Sequence, residues 1–136
     1  KVWTCYAKRC GVEKHVNICG YVPTSKLRQV IQNSTCGLSV FRDPNHVSNF
    51  AFPGKVFLYL ESGLPVIVSR TSALATDIED ANAGVAINYQ KEDFVQAFLK
   101  ILNCELKFRL GVAKFVQTRL SGARVEECLL SIVASA

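Results

Sequence analysis

The distribution of apolar residues predicts helices that alternate with buried strands. Residues 56–60 are almost wholly apolar and follow Pro53 and Gly54, a pattern typical of a helix that is covered on most sides. Gly63 offers the left-handed backbone conformation that commonly ends a helix. Residues 66–68 are consecutive β-branched apolar residues, as in strands of parallel sheets that are buried on both faces. We therefore predict a helix, a stop and a central strand over this stretch.

The same two patterns continue along the rest of the chain. Further strands are predicted at residues 15–19, 36–41 and 85–89. Further helices are predicted near residues 1–10, from Pro23 onward, over 73–81 with Gly84 as the stop, from Lys91 onward, and as two helices over about 105–134 that are broken near Ser121-Gly122. In the helix that follows Pro23, the N-cap is expected to be Thr24 or Ser25, and the inner face is expected to consist of Leu27, Val30 and Ile31. In the helix that starts at Lys91, the inner face is expected to consist of Phe94, Ala97, Phe98 and Ile101. This alternation predicts an α/β fold, namely a Rossmann-like parallel sheet of at least four strands flanked by helices, in one domain over residues 1–136.

Composition narrows the class of protein. Of the 136 residues, 49% are apolar and 20% are charged, which fits a well-packed α/β domain and argues against disorder. No stretch approaches the ~18 consecutive apolar residues of a membrane span. The six cysteines form no C-x-x-C pair, and neither histidine has metal-ligand spacing to them. We therefore expect a reducing compartment, no disulfide framework and no metal site, with Cys19 and Cys36 acting as small apolar residues in strands.

The net charge of +5 is concentrated in the N-terminal part, since residues 1–32 alone carry +5. Such an excess suits a membrane surface, an anionic ligand or an acidic partner, and it also suits the solvated faces of ordinary helices. Basic and aromatic residues do not interleave as they do in proteins that bind single-stranded nucleic acid. We therefore expect no nucleic-acid partner.

Two charges on the predicted 54–61 helix stand at the unfavourable ends of its dipole. Lys55 lies in the first turn and Glu61 in the last, and each placement costs roughly a few tenths of a kcal/mol. An anion held by Lys55 and the N–H groups of residues 54–56 would compensate the first charge, because a helix N-terminus binds anions readily. A solvated lysine beside a surface loop explains the same placement.

Candidate ligand-binding segments fall at the carboxyl ends of the predicted strands, where parallel sheets bind ligands. These ends are residues 20–22, the loop of about twelve residues from Arg42 to Pro53, residues 69–71 and residues 89–90. His46 in the loop could bind an anion or act as a base, and it could equally be an exposed side chain. Arg70, between Ser69 and Thr71, could bind phosphate or belong to an exposed connector.

An ordered set of segments resembles one family of enzymes. The segments cover residues 16–23, 27–31, 36–41, 52–69 and 83–87, and the most specific is Pro53-x-Lys55…Tyr59-Leu60-x-x-Gly63-x-Pro65-Val66-Ile67. In this order they resemble the C-terminal, donor-binding domain of retaining GT-B glycosyltransferases of the group 1 or family 4 type. That family includes enzymes of polysaccharide and glycolipid synthesis.

The resemblance implies binding of a nucleotide-diphosphate sugar as substrate, without a cofactor, for hexosyl transfer to a saccharide or lipid-linked acceptor. The base would lie against Gly20, Tyr21 and Val22. The donor-binding residues that follow would be His46, Asn49, Phe52, Pro53, Gly54, Lys55 and Val56, with Arg70 and Glu61 as further candidates and no catalytic residue identified. Positive charge and the helix dipole would stabilise the leaving nucleotide diphosphate.

The chain departs from this family in its acids and in where it begins. The glutamate that usually binds ribose from the middle of the helix is Leu58 here, and the acid expected near Phe50 is absent. The first strand and helix of the domain are missing, as is the N-terminal acceptor domain. We therefore expect a fragment of a larger two-domain protein that is inactive alone, located in the cytoplasm, with the inner face of the membrane as a second option.

Two other functions stay open. Leu58 favours a divergent Rossmann-like module that binds a nucleotide or a protein without transferring a sugar. A sugar-nucleotide epimerase of the GT-B fold fits the predicted fold but not the Pro53-x-Lys55 segment.

Overall fold

The computed structural model describes residues 2–43 and 53–120, which form a three-stranded parallel sheet flanked by helices. The strands are β1 (Gly37–Ser39), β2 (Val66–Ser69) and β3 (Gly84–Ile87). The helices are α1 (Val2–Arg9), α2 (Thr24–Gln32), α3 (Gly54–Glu61), α4 (Ala75–Asp80), α5 (Lys91–Asn103) and α6 (Glu105–Phe115), with a 3₁₀ turn at Glu13–His15 and a π turn at Val116–Leu120. The predicted α/β, Rossmann-like architecture is confirmed.

The central strand is β2, in the order β1-β2-β3. Val66 stands level with Gly37 on one side and with Gly84 on the other. All four residues of β2 are buried, as the continuous apolar run predicts for a strand covered on both faces. Because the strands are parallel, the chain must cross back between them, and it does so through α3 and α4. Each of these helices therefore begins near the edge where the preceding strand ends.

Two apolar clusters cover the two faces of the sheet. One contains Val56 and Leu60 of α3, Val66 and Val68 of β2, Leu74, Ala75 and Ile78 at α4, and Val112 and Phe115 of α6. The other contains Ile67 of β2, Val85 and Ile87 of β3, Ala97 and Ile101 of α5, and Phe108 of α6. Helix α6 contributes residues to both clusters, so it packs against both faces of the sheet. The predicted inner face of α5 is confirmed, with Ala97 and Ile101 buried and Phe94 and Phe98 packed beside them.

One guanidinium joins three segments at the amino edge of the sheet. Gly63 ends α3 with a φ of +78°, as predicted. Its carbonyl accepts a hydrogen bond from Arg109 of α6 at 3.2 Å, and a second N–H of Arg109 reaches the carbonyl of Ser34 at 3.2 Å. Glu105, one turn earlier, accepts from Arg109 Nε at 2.8 Å and holds the side chain in place. The end of α3 and the segment before β1 are thereby fastened to α6.

The predicted strand at residues 15–19 is wrong. Its first residue ends the 3₁₀ turn, and the segment that follows is irregular, with Val16 and Ile18 exposed by 45% and 48%. A strand needs a neighbour for its N–H and C=O groups, and alternation along the sequence cannot supply one. The sheet formed by the described residues therefore has three strands rather than at least four.

Cys19 is consequently exposed rather than buried. Cys36 behaves as predicted, since it packs beside the second apolar cluster and its burial raises the pKa of its thiol. Within the described residues, Cys5, Cys10 and Cys104 are also free.

Several predicted helix ends and inner faces are also corrected. Pro23 is the N-cap of α2, because its carbonyl accepts the N–H groups of the first turn. Ile31 is buried, whereas Val30 is 49% exposed. The left-handed residue after α4 is Asn82, with a φ of 53°, because Gly84 already pairs with β2 as the first residue of β3. The predicted break near residues 121–122 lies outside the described residues.

No helix within residues 2–43 and 53–120 has the length and apolar character needed to cross a membrane.

Gly111→Ala is expected to destabilise the protein, although alanine favours a helix by about 1 kcal/mol. A Cβ at this position would lie 2.2 Å from the carbonyl oxygen of Asn82. We expect the free energy of unfolding, measured with urea, to fall by about 1–3 kcal/mol. Gly54→Ala is the control, because a Cβ there meets no atom of the described residues within 4 Å. Equal unfolding midpoints for the two variants would contradict the packing of α6 against the α4–β3 turn.

Candidate functional site

A pocket of 430 Å³ opens at the carboxyl edge of the sheet, on the face that α5 covers. Its apolar wall consists of Leu38 and Val40 at the end of β1, Ile87 at the end of β3 and Phe94 of α5. Lys55, Tyr89, Gln90 and Lys91 complete the lining. The size is typical of a small-molecule site, and an apolar wall with a few polar groups is the usual make-up of one.

The two charged residues in the described part of this lining are lysines that stand in the first turn of a helix. Lys55 is the second residue of α3, and Lys91 is the first residue of α5. Each helix directs its positive end to this edge, so the side-chain charges and the dipoles have the same sign. This combination of charges is one that suits an anion, and the residues of the lining that lie within 2–43 and 53–120 include no acidic side chain to oppose it.

The start of α3 is the more electropositive of the two. Its first turn contains no acidic residue. The N–H of Val56 donates to the carbonyl of Pro53 at 2.8 Å, which leaves the N–H groups of Gly54 and Lys55 as those that no helical carbonyl can accept. Val56 itself is fully buried in the core and contributes packing. The predicted anion-binding N–H groups are therefore reduced from residues 54–56 to residues 54 and 55.

The start of α5 is fixed by hydrogen bonds of its own. Asp93 accepts from the backbone N–H of Asn88 at 3.2 Å and from its side-chain amide at 3.1 Å. These contacts hold the turn between β3 and α5, and with it the position of Lys91. Since Glu92 and Asp93 lie in this first turn, they offset part of the helix dipole.

The ammonium of Lys55 lies over the ring of Phe41, with Nζ 4.9 Å from the ring centroid. This is a cation–π distance, and such a contact restricts a side chain that would otherwise sample many rotamers. The lysine is thereby held near the end of β1.

Comparison with protein-family models matches residues 4–108 to the glucosyltransferase 3-like, C-terminal domain. The chain belongs to this family. The matched range extends from α1 into α6 and includes both pocket lysines. Neither the curated proteins nor the solved structures contain a match to the chain. The family places the chain among domains related to glucosyltransferases, and so in the general class of glycosyltransferases.

In this glucosyltransferase 3-like domain, several residues that were predicted to form a single site are separated. Gly20, Tyr21 and Val22 do not line the pocket, and Tyr21 is 89% exposed, because the strand expected before them is not formed. Glu61 lies at the opposite end of α3 from Lys55, roughly 9 Å away along the helix axis by the rise of 1.5 Å per residue. His46, Asn49 and Phe52 lie outside the described residues. Pro53 and Gly54 begin α3 beside Lys55, as predicted.

Arg70 of the domain binds protein groups on another side of the sheet. Its guanidinium pairs with Glu79 of α4 and donates to the carbonyl of Ala86, while Glu79 also accepts the N–H of Ala86 at 3.2 Å. Ala86 belongs to the edge strand β3, and these contacts occupy its outward backbone groups. Capping of this kind protects a sheet edge from pairing with another chain.

Lys91 was missed as a candidate site residue from the sequence, whereas Tyr89 and Gln90 belong to a segment that was predicted at the ligand-binding edge. The available signal was the pattern that singled out Lys55, namely a lysine at the start of a helix that follows a strand. Within residues 2–43 and 53–120, no three His, Cys, Asp or Glu side chains are grouped to hold a metal ion.

Arg70→Ala and Glu79→Ala are each expected to lower the free energy of unfolding by about 1 kcal/mol, because each leaves a backbone group of Ala86 without its partner. A double-mutant cycle in urea should give a coupling of about 0.5–1 kcal/mol between the two residues. The control pair is Arg119 and Asp77, which lie 3.2 Å apart and are both exposed by more than 40%. Coupling no larger than that of the control pair would contradict the edge-capping role.

Proposed function

We propose that the chain is the donor-binding half of a GT-B glycosyltransferase of the group 1 or family 4 type, and that its carboxyl-edge pocket holds a nucleotide-diphosphate sugar. The observation that carries this proposal is the pair of lysines, Lys55 and Lys91, at two helix starts around one 430 Å³ pocket. Membership of the glucosyltransferase 3-like family supports a sugar donor as the ligand.

The diphosphate would lie between the two lysines, with the N–H groups of Gly54 and Lys55 as further donors. Charge-assisted hydrogen bonds to phosphate are about twice as strong as neutral ones, which suits a site this exposed. The apolar wall and the Tyr89 ring would take the nucleoside, in place of the 20–22 segment.

The same arrangement would assist the chemistry of sugar transfer. When the bond between the anomeric carbon and the diphosphate breaks, negative charge develops on the diphosphate oxygens. Lysines and helix N-termini that are already oriented stabilise this charge as it forms. We propose hexosyl transfer, with the sugar held at the mouth of the pocket and the acceptor supplied by a second domain.

The full protein would use a saccharide or lipid-linked acceptor in polysaccharide synthesis, in the cytoplasm or at the inner face of the membrane. This part of the proposal rests on the family resemblance of the Pro53-x-Lys55 segment. No cofactor is needed, because the nucleotide sugar is itself the activated substrate.

A non-catalytic nucleotide-binding module is the second candidate, and Leu58 favours it. This residue lies half-buried on α3, at the position where the resemblance calls for a ribose-binding glutamate. The two functions differ in turnover. Release of nucleoside diphosphate from a nucleotide sugar by the chain supplied with its partner domain would favour the transferase, and tight binding without release would favour the module.

Lys55→Ala and Lys91→Ala are each expected to weaken the binding of a nucleoside diphosphate by about tenfold, the effect of losing one charge-assisted contact worth about 1.4 kcal/mol. The measurement is isothermal titration of the chain with UDP, GDP and ADP at two salt concentrations. Because both contacts are ionic, the weakening should be largest at low salt.

Lys107→Ala is the matched control, since Lys107 is an exposed lysine on α6 away from the pocket and its removal changes the net charge equally. We expect this variant to bind as the unaltered chain does. Absence of binding to any of the three nucleotides up to millimolar concentration would contradict the proposal, as would equal losses in all three variants.

A further inference from the structure

The chain leaves β1 but remains tied to β2 by a further hydrogen bond. The N–H of Phe41 donates to the hydroxyl oxygen of Ser69, with a distance of 2.8 Å between N and Oγ. In the ladder, Gly37 stands level with Val66 and donates to the carbonyl of Pro65, so continuing this register places Phe41 level with residue 70 and directs its N–H towards residue 69. The carbonyl of Ser69 already accepts the N–H of Ser72 at 2.9 Å. The N–H of Phe41 is accepted by the serine hydroxyl rather than by this carbonyl.

Ser69 is well placed for this role. It is the last residue of β2 and only 4% exposed, so its hydroxyl is held in one position by the core. An alanine here would leave the N–H of Phe41 without an acceptor in a partly buried site, where an unmade hydrogen bond is costly. The contact thus determines where the segment after β1 begins.

The Phe41 ring in turn fixes Lys55. The ammonium stands 4.9 Å from the ring centroid, while the rest of the lysine is an exposed, flexible chain in the first turn of α3. A cation over one face of a ring keeps the N–H donors on its far side available for an anion. The ring therefore reduces the number of lysine rotamers that must be lost when the anion binds.

We infer that Ser69 and Phe41 are positioning residues that hold the Lys55 ammonium ready for the diphosphate of the ligand, an inference that rests on the proposed function. Ser69 anchors the backbone of Phe41, and the ring of Phe41 places the charge. Neither residue contacts the ligand in this arrangement, so the pair acts on affinity through Lys55 alone.

The contact can be measured without a ligand. Reductive methylation with ¹³C leaves lysines charged and gives each one an NMR signal, and Lys55→Arg identifies the signal of Lys55. We expect this signal to be shifted upfield by the Phe41 ring. Phe41→Leu should abolish the shift, and Ser69→Ala should reduce it. Ser62→Ala is the matched control, because Ser62 is a buried serine whose hydroxyl donates to Leu58 at the other end of α3.

The effect on binding is measured by titration with UDP, GDP and ADP and with the uncharged nucleosides. We expect Phe41→Leu and Ser69→Ala to weaken nucleoside diphosphate binding by about two- to fivefold, in line with one exposed cation–π contact. Binding of the nucleosides should not change, since they lack the phosphates that Lys55 contacts. Ser69→Thr keeps the hydroxyl and should restore the affinity, and Ser62→Ala should have no effect.

Each outcome decides a separate point. An unshifted Lys55 signal in the unaltered chain, or one that Phe41→Leu leaves in place, overturns the contact itself. Equal weakening of nucleoside and nucleoside diphosphate binding overturns the positioning role, because general destabilisation would act on both. If the Lys55 signal shows the ring shift but the chain binds no nucleoside diphosphate, the proposed function is overturned, and so is the inference that Lys55 is held for a diphosphate.

Discussion

Parallel pairing of β1, β2 and β3 is the constraint on which the rest of the structure depends. Two parallel neighbours can be joined only if the chain returns across a face of the sheet, and here it returns through α3 and α4. Every strand therefore ends at one edge, where the next helix begins. The positive ends of α3 and α5 meet the end of the sheet there, and the apolar wall between them is formed by the last side chains of β1 and β3. The position of the pocket therefore depends first on the direction of the strands, and only then on particular side chains.

The two ends of the sheet differ in how their positively charged side chains are balanced. At the carboxyl edge, Lys55 and Lys91 add to the positive ends of the helix dipoles, and Glu92 and Asp93 offset part of this charge at the start of α5 only. At the amino edge, the Arg109 guanidinium is matched by Glu105 and by the carbonyls at the ends of neighbouring segments. Arg70 is likewise matched, by Glu79 and Ala86. Arg109 and Arg70 are paired within the protein and stabilise the fold, whereas we propose that Lys55 and Lys91 bind a ligand.

The sequence predicts those features that depend on neighbours along the chain. The buried run at Val66, the glycine stop at Gly63 and the lysine at the start of α3 are local patterns, and all three are present in the structure. Residues 15–19 have an equally good local pattern, yet the strand fails because pairing requires a partner that is distant in sequence. Arg70 shows the same limit. An arginine at this position could bind a phosphate or cap the free edge of β3, and the neighbouring residues in the sequence do not distinguish the two roles. Lys91 has the same local pattern as Lys55, but that both lysines line one pocket depends on how the sheet brings the two helix starts together, which the local pattern does not show.

The central claim is that the carboxyl-edge pocket receives the diphosphate of a nucleotide sugar. The most direct measurement is a map of backbone amide shifts in ¹H–¹⁵N NMR spectra as UDP, GDP or ADP is added to the ¹⁵N-labelled chain. We expect the largest shifts on Gly54 and Lys55 at the start of α3 and on Lys91 at the start of α5, with smaller changes at Tyr89. Shifts centred instead on Arg70 and Glu79, or on residues 20–22, would contradict it, as would a spectrum that does not change.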